Sequence, residues 1–396
     1  MNRRILALLL ALVMVAGLMT GCASGKQEAA APETAQTESP AAEETTAEPE
    51  QTEESPAEEE APAEPETVSF TDSLGRTVEL PADITRIAPS GAVATMLLAA
   101  IAPECMVTIN AAPSERQMAF LPANLAALPE TGQMYGSKAN LNLETLLAAD
   151  PQVVIDLGDK KGDMTEDLDA LQAQIGIPVV FIEADLAHMA AAFRTLGGLL
   201  SGKSDRGEEL AALVDRTTAI AEENAAKITD DMRVRAMYTT GEDGLGTNAA
   251  GSMQAQVLDM VGVENAVVVE DVSNKGGGNI ISLEQLYNFD PDVILFADGS
   301  IYDTVADDSA WSQLTAISTG KYYEVPGSPY NWLSGPPSMN MILGVWWLGN
   351  LIYPEIYDYD METMTQELYK TLWGYELSSE EVTALLGNST LKAAAQ

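Results

Sequence analysis

The chain uses one phrase twice. Residues 142–155 read NLETLLAADPQVVI and residues 282–295 read SLEQLYNFDPDVIL, at an offset of 140 residues. Leu143, Glu144, Leu146, Asp150, Pro151 and Val153 recur as Leu283, Glu284, Leu286, Asp290, Pro291 and Val293. Each copy reads as a helix, an Asp-Pro break and a buried strand. The proline cannot continue a helix, and it pushes the residue before it out of the right-handed α region. The short, β-branched apolar run that follows suits a parallel strand covered on both faces. Repetition of a whole α/β unit at this spacing predicts two similar lobes in one chain. Two lobes enclose a cleft, and a cleft is a place for a ligand.

The start of the chain predicts where that cleft works. Arg3 and Arg4 precede an apolar stretch from Ile5 to Met19, followed by Thr20, Gly21 and Cys22. A basic start, an apolar middle and small residues at the cut make a signal peptide over residues 1–21. Leu18-Met19-Thr20-Gly21-Cys22 resembles a lipobox, with Cys22 the lipid-bearing first residue of the mature protein and the membrane its anchor. Residues 27–66 hold 14 Glu and 6 Pro and no Lys, Arg or aromatic residue. Such a stretch cannot bury enough apolar surface to fold. Residues 22–66 therefore read as an extended acidic tether.

What remains, 330 residues, is enough for two domains with their own cores. The net charge is −40; the first 26 residues contribute +3 and the tether −14, which leaves −29 on the body. Nucleic acid is excluded as a partner, because phosphate recognition needs clustered Lys and Arg. Cys105 is the one thiol beyond Cys22, so no internal disulfide is expected.

Along the body, Val68–Phe70 and Thr77–Leu80 flank a turn and predict a hairpin. Ile87–Ala88, Met106–Ile109, Val153–Ile155 and Val179–Ile182 read as strands, with Ser90-Gly91 opening an apolar helix over Ala92–Ile101. This βα alternation implies a parallel sheet. From Leu186 to about Ala226 the pattern is almost wholly helical. Ser204-Asp205 reads as an N-cap, and Leu210, Leu213, Thr217, Ile220 and Ala221 fall on one face. A helix of about 24 residues, roughly 36 Å long, would bridge the lobes. Alternation then resumes with strands at Val234–Thr239 and Tyr322–Val325, a Gly-rich loop over Gly241–Gly251, a helix at Met253–Met260, a loop over Pro326–Pro337 and two closing helices. The expected architecture is α/β: two Rossmann-like lobes with parallel sheets, joined by a single long bridging helix, with a ligand cleft between them. The lobes are residues 67–200 and 229–396, and the bridge is residues 201–228.

Several segments in this order carry a family resemblance: DSLGRTVEL (Asp72–Leu80), the phrase around Glu144, the single long helix, QVLDMVGVENA (Gln256–Ala266), the phrase around Glu284, and YYEVPGSPYNWLSGPPS (Tyr322 to Ser338). The chain resembles the helix-bridged class of substrate-binding proteins of ABC importers, the class serving ferric siderophores, haem, cobalamin and some metal or oxyanion cargoes. The resemblance spans about residues 67–385. It implies a monomeric, extracytoplasmic, lipid-anchored carrier that hands a small-molecule chelate to an ABC permease dimer with its ATPase. It also implies that Glu144 and Glu284, one per lobe, pair with Arg on the two permease subunits. A two-fold permease offers two equivalent sockets, and a pseudo-two-fold protein can present one carboxylate to each.

Ligands of parallel α/β lobes bind beyond the carboxyl ends of strands. That rule selects Ser90 and Gly91 at a helix start, Tyr135 and Ser137, then Thr247, Asn248 and Ser252, and finally Tyr330, Asn331 and Trp332. Lys160 and Lys275 would supply positive charge. The related loop in many family members reads NW-x-x-R-P-P-S; here Gly335 stands in place of the Arg. That puts carboxylate or oxyanion binding in doubt and makes room for a bulkier neutral ligand. One histidine, His188, cannot build the several-His shell of a bare zinc or manganese carrier, so a metal would arrive chelated. No nucleophile elbow, P-loop or dinucleotide fingerprint is present, so neither an enzyme nor a resident cofactor is expected. An iron chelate ranks first as cargo, a corrinoid second and a molybdate- or tungstate-type oxyanion third. A surface receptor or sensor built on the same lobes is the alternative to transport.

Overall fold

The computed structural model describes residues 66–135, 139–162, 164–274 and 276–390. The signal segment, Cys22 and the tether lie outside the described residues, as do Ser137 and Lys275. A hairpin of β1 (Thr67–Thr71) and β2 (Thr77–Pro81) opens the body. Its turn is built on Asp72, whose carboxylate accepts from the Leu74 and Arg76 amides at 3.0 Å and pairs with the Arg76 guanidinium.

The first lobe holds a parallel sheet of β3 (Ile87–Pro89), β4 (Val153–Gly158) and β5 (Val179–Glu183), in that order. The second holds β6 (Arg235–Thr240), β7 (Gly246–Thr247), β8 (Glu264–Asn265), β9 (Asn279–Ile280), β10 (Val293–Phe296) and β11 (Tyr322–Glu324). Here β11, β10, β6 and β8 run parallel and correspond to β5, β4, β3 and a bridge from Ile87 to Met106. The expected strand at Met106–Ile109 is thus reduced to isolated bridges at its two ends, Ile87 with Met106 and Ile109 with Glu130. The second sheet also carries β7, antiparallel to β6 and inside the Gly241–Gly251 stretch read as loop, and β9, antiparallel to β7.

The repeated phrase folds the same way twice. Leu143–Ala148 and Leu283–Phe289 are helices, each with a side-chain cap, from Asn142 and Ser282 respectively. Asp150 and Asp290 are the two non-glycine residues with positive φ among the described residues, at 50° and 36°. Both leave the right-handed region as the following proline demands, and they do so into the left-handed well, which Asp tolerates. An arginine holds each: Arg86 donates to the Asp150 carbonyl at 2.9 Å and Arg235 to the Asp290 carbonyl at 3.3 Å. Two residues on, Gln152 and Asp292 each accept from the amide of that arginine at 2.9 Å.

Strand alternation then sorts the apolar residues between cores. Val154 and Ile294 face private cores on the outer side of each lobe, with Leu146 and Leu286 from the repeat helices. Val153, Ile155, Val293 and Leu295 face a single shared core. That core runs from Leu97 and Phe193 through Leu210 and Val214 of the long helix to Trp346 and Trp347. The long helix is Ser204–Ala225, preceded by a separate helix, Met189–Leu199. Lys203, not Ser204, is its N-cap, and no side chain caps it. Three helices follow the loop, not two: Asn340–Ile352, Met361–Trp373 and Ser379–Leu386. Pro354 stops the first, and Gly374, with φ of 68°, ends the second in a left-handed cap. Arg206 of the long helix donates to the Ala100 carbonyl and to carbonyls of the Met361–Trp373 helix, so the chain end packs back onto the first lobe.

Candidate functional site

Chain segments from both lobes meet at a cavity of about 370 Å³. The first lobe contributes Ser114, Arg116 and Gln117; the second contributes Tyr238, Asp298, Tyr330, Asn331 and Gly335. A neighbouring cavity of about 170 Å³ shares Gln117, Tyr330 and Gly335 and reaches Ala92 and Thr95 at the start of the Ala92–Ile101 helix. Arg116 sits on a short helix, Glu115–Met118, fixed by a capping box in which Ser114 accepts from the Gln117 amide while the Gln117 side chain returns to the Ser114 amide. From there it crosses the junction: its Nε donates to Ser328 Oγ and its Nη1 to the Asp298 carboxylate. Among the residues lining the described cavities, Arg116 is the one Lys or Arg.

Tyr330 and Asn331 line the junction cavity. Burial pushes the Tyr330 phenol up to about 12, so it is a neutral donor at any physiological pH. The Asn331 side chain accepts from the Leu333 and Ser334 amides at 3.0 and 3.1 Å, which shapes the loop, and it is hydrogen-bonded to the Tyr238 hydroxyl.

Other expected ligand residues turn inward. Trp332 is fully buried, 6.4 Å from the Tyr369 ring, with its indole N–H on the Ser328 carbonyl. Next to a cavity-lining Asn331, the loop alternates and sends the large apolar ring to the core. Thr247 is buried and donates to the Tyr238 carbonyl at 2.8 Å; it supports a cavity residue without reaching the cavity. The Asn248 carbonyl accepts from Asn265, and Ser252 is buried. Neither lines a described cavity, nor does Lys160, which is exposed. The Tyr135 hydroxyl is buried and lacks a partner among the described residues, with Lys161 Nζ 5.2 Å from its ring centre.

Ser90 is buried as well and donates to Asp156, at the carboxyl end of β4. A Cβ added at Gly91 would lie 3.2 Å from the Gln133 Cβ, a tight contact. Burial raises the Asp156 carboxyl to about 6, against the Ser90 bond and Lys161, which pull it down. The folded state therefore holds this proton more tightly than the unfolded chain. The contribution of this group to stability is fully present below the unfolded value near 4 and is lost as pH rises through about 6. Asp156→Asn removes the charge. Its stability relative to wild type should rise by about 2 kcal/mol between pH 4.5 and pH 8, read by urea unfolding at both. A pH-independent difference would refute the assignment.

One group among the described residues could hold a metal ion. Ligand atoms of Glu183, Asp185 and His188 lie within 4.8 Å of one another. His188 is the N-cap of Met189–Leu199, and its Nδ1 is 2.6 Å from Asp185, which raises the imidazole above its ordinary value. His188 is exposed, and none of the three lines a described cavity.

Two α/β lobes on one long helix, with a cavity walled by both, define the helix-bridged solute-binding class. The chain belongs to the periplasmic binding protein family, whose model matches residues 92–329. An ABC transporter solute-binding protein from Sulfurospirillum deleyianum is 29% identical, with a TM-score of 0.74 over 81% of this chain and 99% of that one. A periplasmic solute-binding protein from Veillonella parvula is 23% identical, with a TM-score of 0.68 over 82% and 98%. The molybdate-bound MolA of Haemophilus influenzae is 21% identical, with a TM-score of 0.62 over 78% and 99%; these last two speak to the fold alone. No curated sequence matches the chain. Members of this family are extracytoplasmic binding proteins, not enzymes, and deliver solutes to ABC permeases. No described helix is long and apolar enough to cross a membrane.

Proposed function

We propose that this protein captures a chelated-metal cargo at the lobe junction and hands it to an ABC permease while a lipid on Cys22 and the acidic tether hold it at the membrane. The junction cavity is the observation that carries the reading. At about 370 Å³, beside a further cavity of about 170 Å³ that shares three of its residues, it has the size of a small-molecule site and far exceeds what a bare ion needs. Its walls combine two tyrosines, amide and hydroxyl groups and one guanidinium, which suits a chelate with an apolar body and a polar edge. A ferric siderophore or haem is the first candidate and a corrinoid the next. Arg116 favours one second reading, a molybdate- or tungstate-type oxyanion.

A thermal-shift screen of the purified chain against haem, cobalamin, ferric hydroxamates, ferric catecholates, molybdate and tungstate tests this. A ligand that binds only the folded state at 100 times its dissociation constant adds about 2.7 kcal/mol and raises the melting temperature by several degrees. A shift with a metal chelate supports capture. A shift with molybdate or tungstate alone moves the assignment to the oxyanion, and no shift across the panel counts against both.

Glu144 and Glu284 carry the delivery half of the proposal. Each is exposed, one residue into its helix, with no ion-pair partner among the described residues. Helices that lead into parallel strands run antiparallel to them, so both helix starts lie at the carboxyl edge of the sheets, the edge that faces a ligand cleft. A permease gripping both carboxylates would sit across the mouth of the cleft.

A further inference from the structure

We propose that Asp298 is a built-in competitor for the anionic part of the cargo: it pairs with the Arg116 guanidinium and must be displaced for an anion to bind there. The inference rests on the lobe junction being the ligand site, and it names the chemistry that site selects. Arg116 comes from the first lobe and Asp298 from the segment after β10 in the second, so their ion pair spans the junction. A second cavity, of about 380 Å³, shares Arg116, Asp298 and Gly327 with the first. The ion pair is thus the partition between two spaces. Gly327 allows it: a Cβ there would lie 3.0 Å from Arg116 Nη2 and 3.1 Å from Asp298 Cβ.

The pair is suited to exchange. Its side chains are 51% and 48% exposed, and exposed ion pairs are weak because water screens them and competes for both partners. A released Asp298 can rehydrate. The guanidinium would then present its N–H fork to a ligand with coplanar or tetrahedral oxygens, such as a carboxylate-edged chelate or an oxyanion. Paired with Asp298, Arg116 is neutralised inside a body of charge −29, so a weakly bound monoanion gains nothing by approaching. An anion that offers two oxygens to the fork, and further contacts to Tyr238 or Tyr330, can win the exchange. A neutral ligand has no stake in it. Asp298 is in this sense a specificity-determining residue.

Titration calorimetry of the full chain tests the exchange, with sodium molybdate, trisodium citrate and a neutral ferric trihydroxamate as probes at low salt. Asp298→Asn and Asp298→Ala should each bind at least one of the two anions about tenfold or more tighter than wild type. Arg116→Gln should lose that gain when combined with Asp298→Asn. The trihydroxamate should respond less than twofold to any of them. Glu222→Gln, on the long helix and away from the described cavities, controls for net charge. No anion binding by either Asp298 variant, an unchanged or weaker affinity, or an equal gain in Glu222→Gln would overturn the proposal. A cargo found by thermal shift whose affinity ignores both residues would remove the competitor and leave the capture reading standing. An anion gain in Asp298→Asn without any cargo in the screen would do the reverse.

Discussion

Reversing both repeat glutamates, Glu144→Arg with Glu284→Arg, should cut delivery to the permease by about a thousandfold and leave cargo affinity within twofold of wild type. The size follows from interface electrostatics. Losing one partner of a buried, hydrogen-bonded charge pair at an interface costs about 2–5 kcal/mol, and two losses at the lower figure already exceed a factor of several hundred in affinity. Reversal adds like-charge repulsion to the loss. The cargo side should be untouched, because neither residue lines the junction cavity. The fold should be untouched too, since both side chains are exposed and their helices are capped by Asn142 and Ser282. Affinity for the permease in nanodiscs and uptake by cells are the two readouts. Full uptake by the double variant would refute the docking role. Uptake lost together with cargo binding would move both glutamates from docking to the ligand site. Cargo binding with no detectable permease partner for the wild-type protein would favour a receptor over a carrier.

The repeat made much of the fold legible because its instructions are local. An Asp-Pro pair must break a helix, and the alternation Val153-Val154-Ile155 or Val293-Ile294-Leu295 must send the middle residue to one face and its neighbours to the other. Both copies do this, down to the left-handed Asp150 and Asp290. What position 86 or 235 contributes, an arginine that holds the turn of a distant segment, has no local signature. The site was less legible for a related reason. The carboxyl-edge rule selects loops, but whether a given side chain faces the cleft depends on the path of the loop. Tyr330 and Asn331 face it; Trp332, next in the chain, does not. Thr247 lies on β7, an antiparallel strand too short for period-two patterning to announce. Arg116 is hard to read as a site residue because an arginine in a polar stretch usually marks solvent. Two signals were available: the Ser114 to Gln117 capping box that fixes its helix, and the scarcity of cations, 20 Lys and Arg against 60 Asp and Glu. The missing Arg at Gly335 points away from anions, yet Arg116, which shares a cavity with Gly335, returns a guanidinium to the same space from the other lobe.

Trp332→Ala should cost about 3–5 kcal/mol of stability, the range for deleting a buried aromatic ring from a packed core. Trp332 is completely buried and packs against Tyr369, and Gly344 of the Asn340–Ile352 helix touches its backbone so closely that an added Cβ would lie 2.2 Å from its carbonyl oxygen. That close approach holds the Trp332 backbone against the helix, so removing the ring should leave a cavity that adds to the lost transfer energy. The contrasting variant is Tyr330→Ala, two residues earlier on the cavity wall and only part-buried. It should lose less than half as much stability and weaken cargo binding at least tenfold. Urea unfolding of both variants, with cargo affinity measured on the folded fraction, separates a residue that builds the loop from one that meets the ligand. A Trp332→Ala protein of near wild-type stability with lost binding would return Trp332 to the cleft. A Tyr330→Ala protein with unchanged binding would remove the junction cavity from the ligand path.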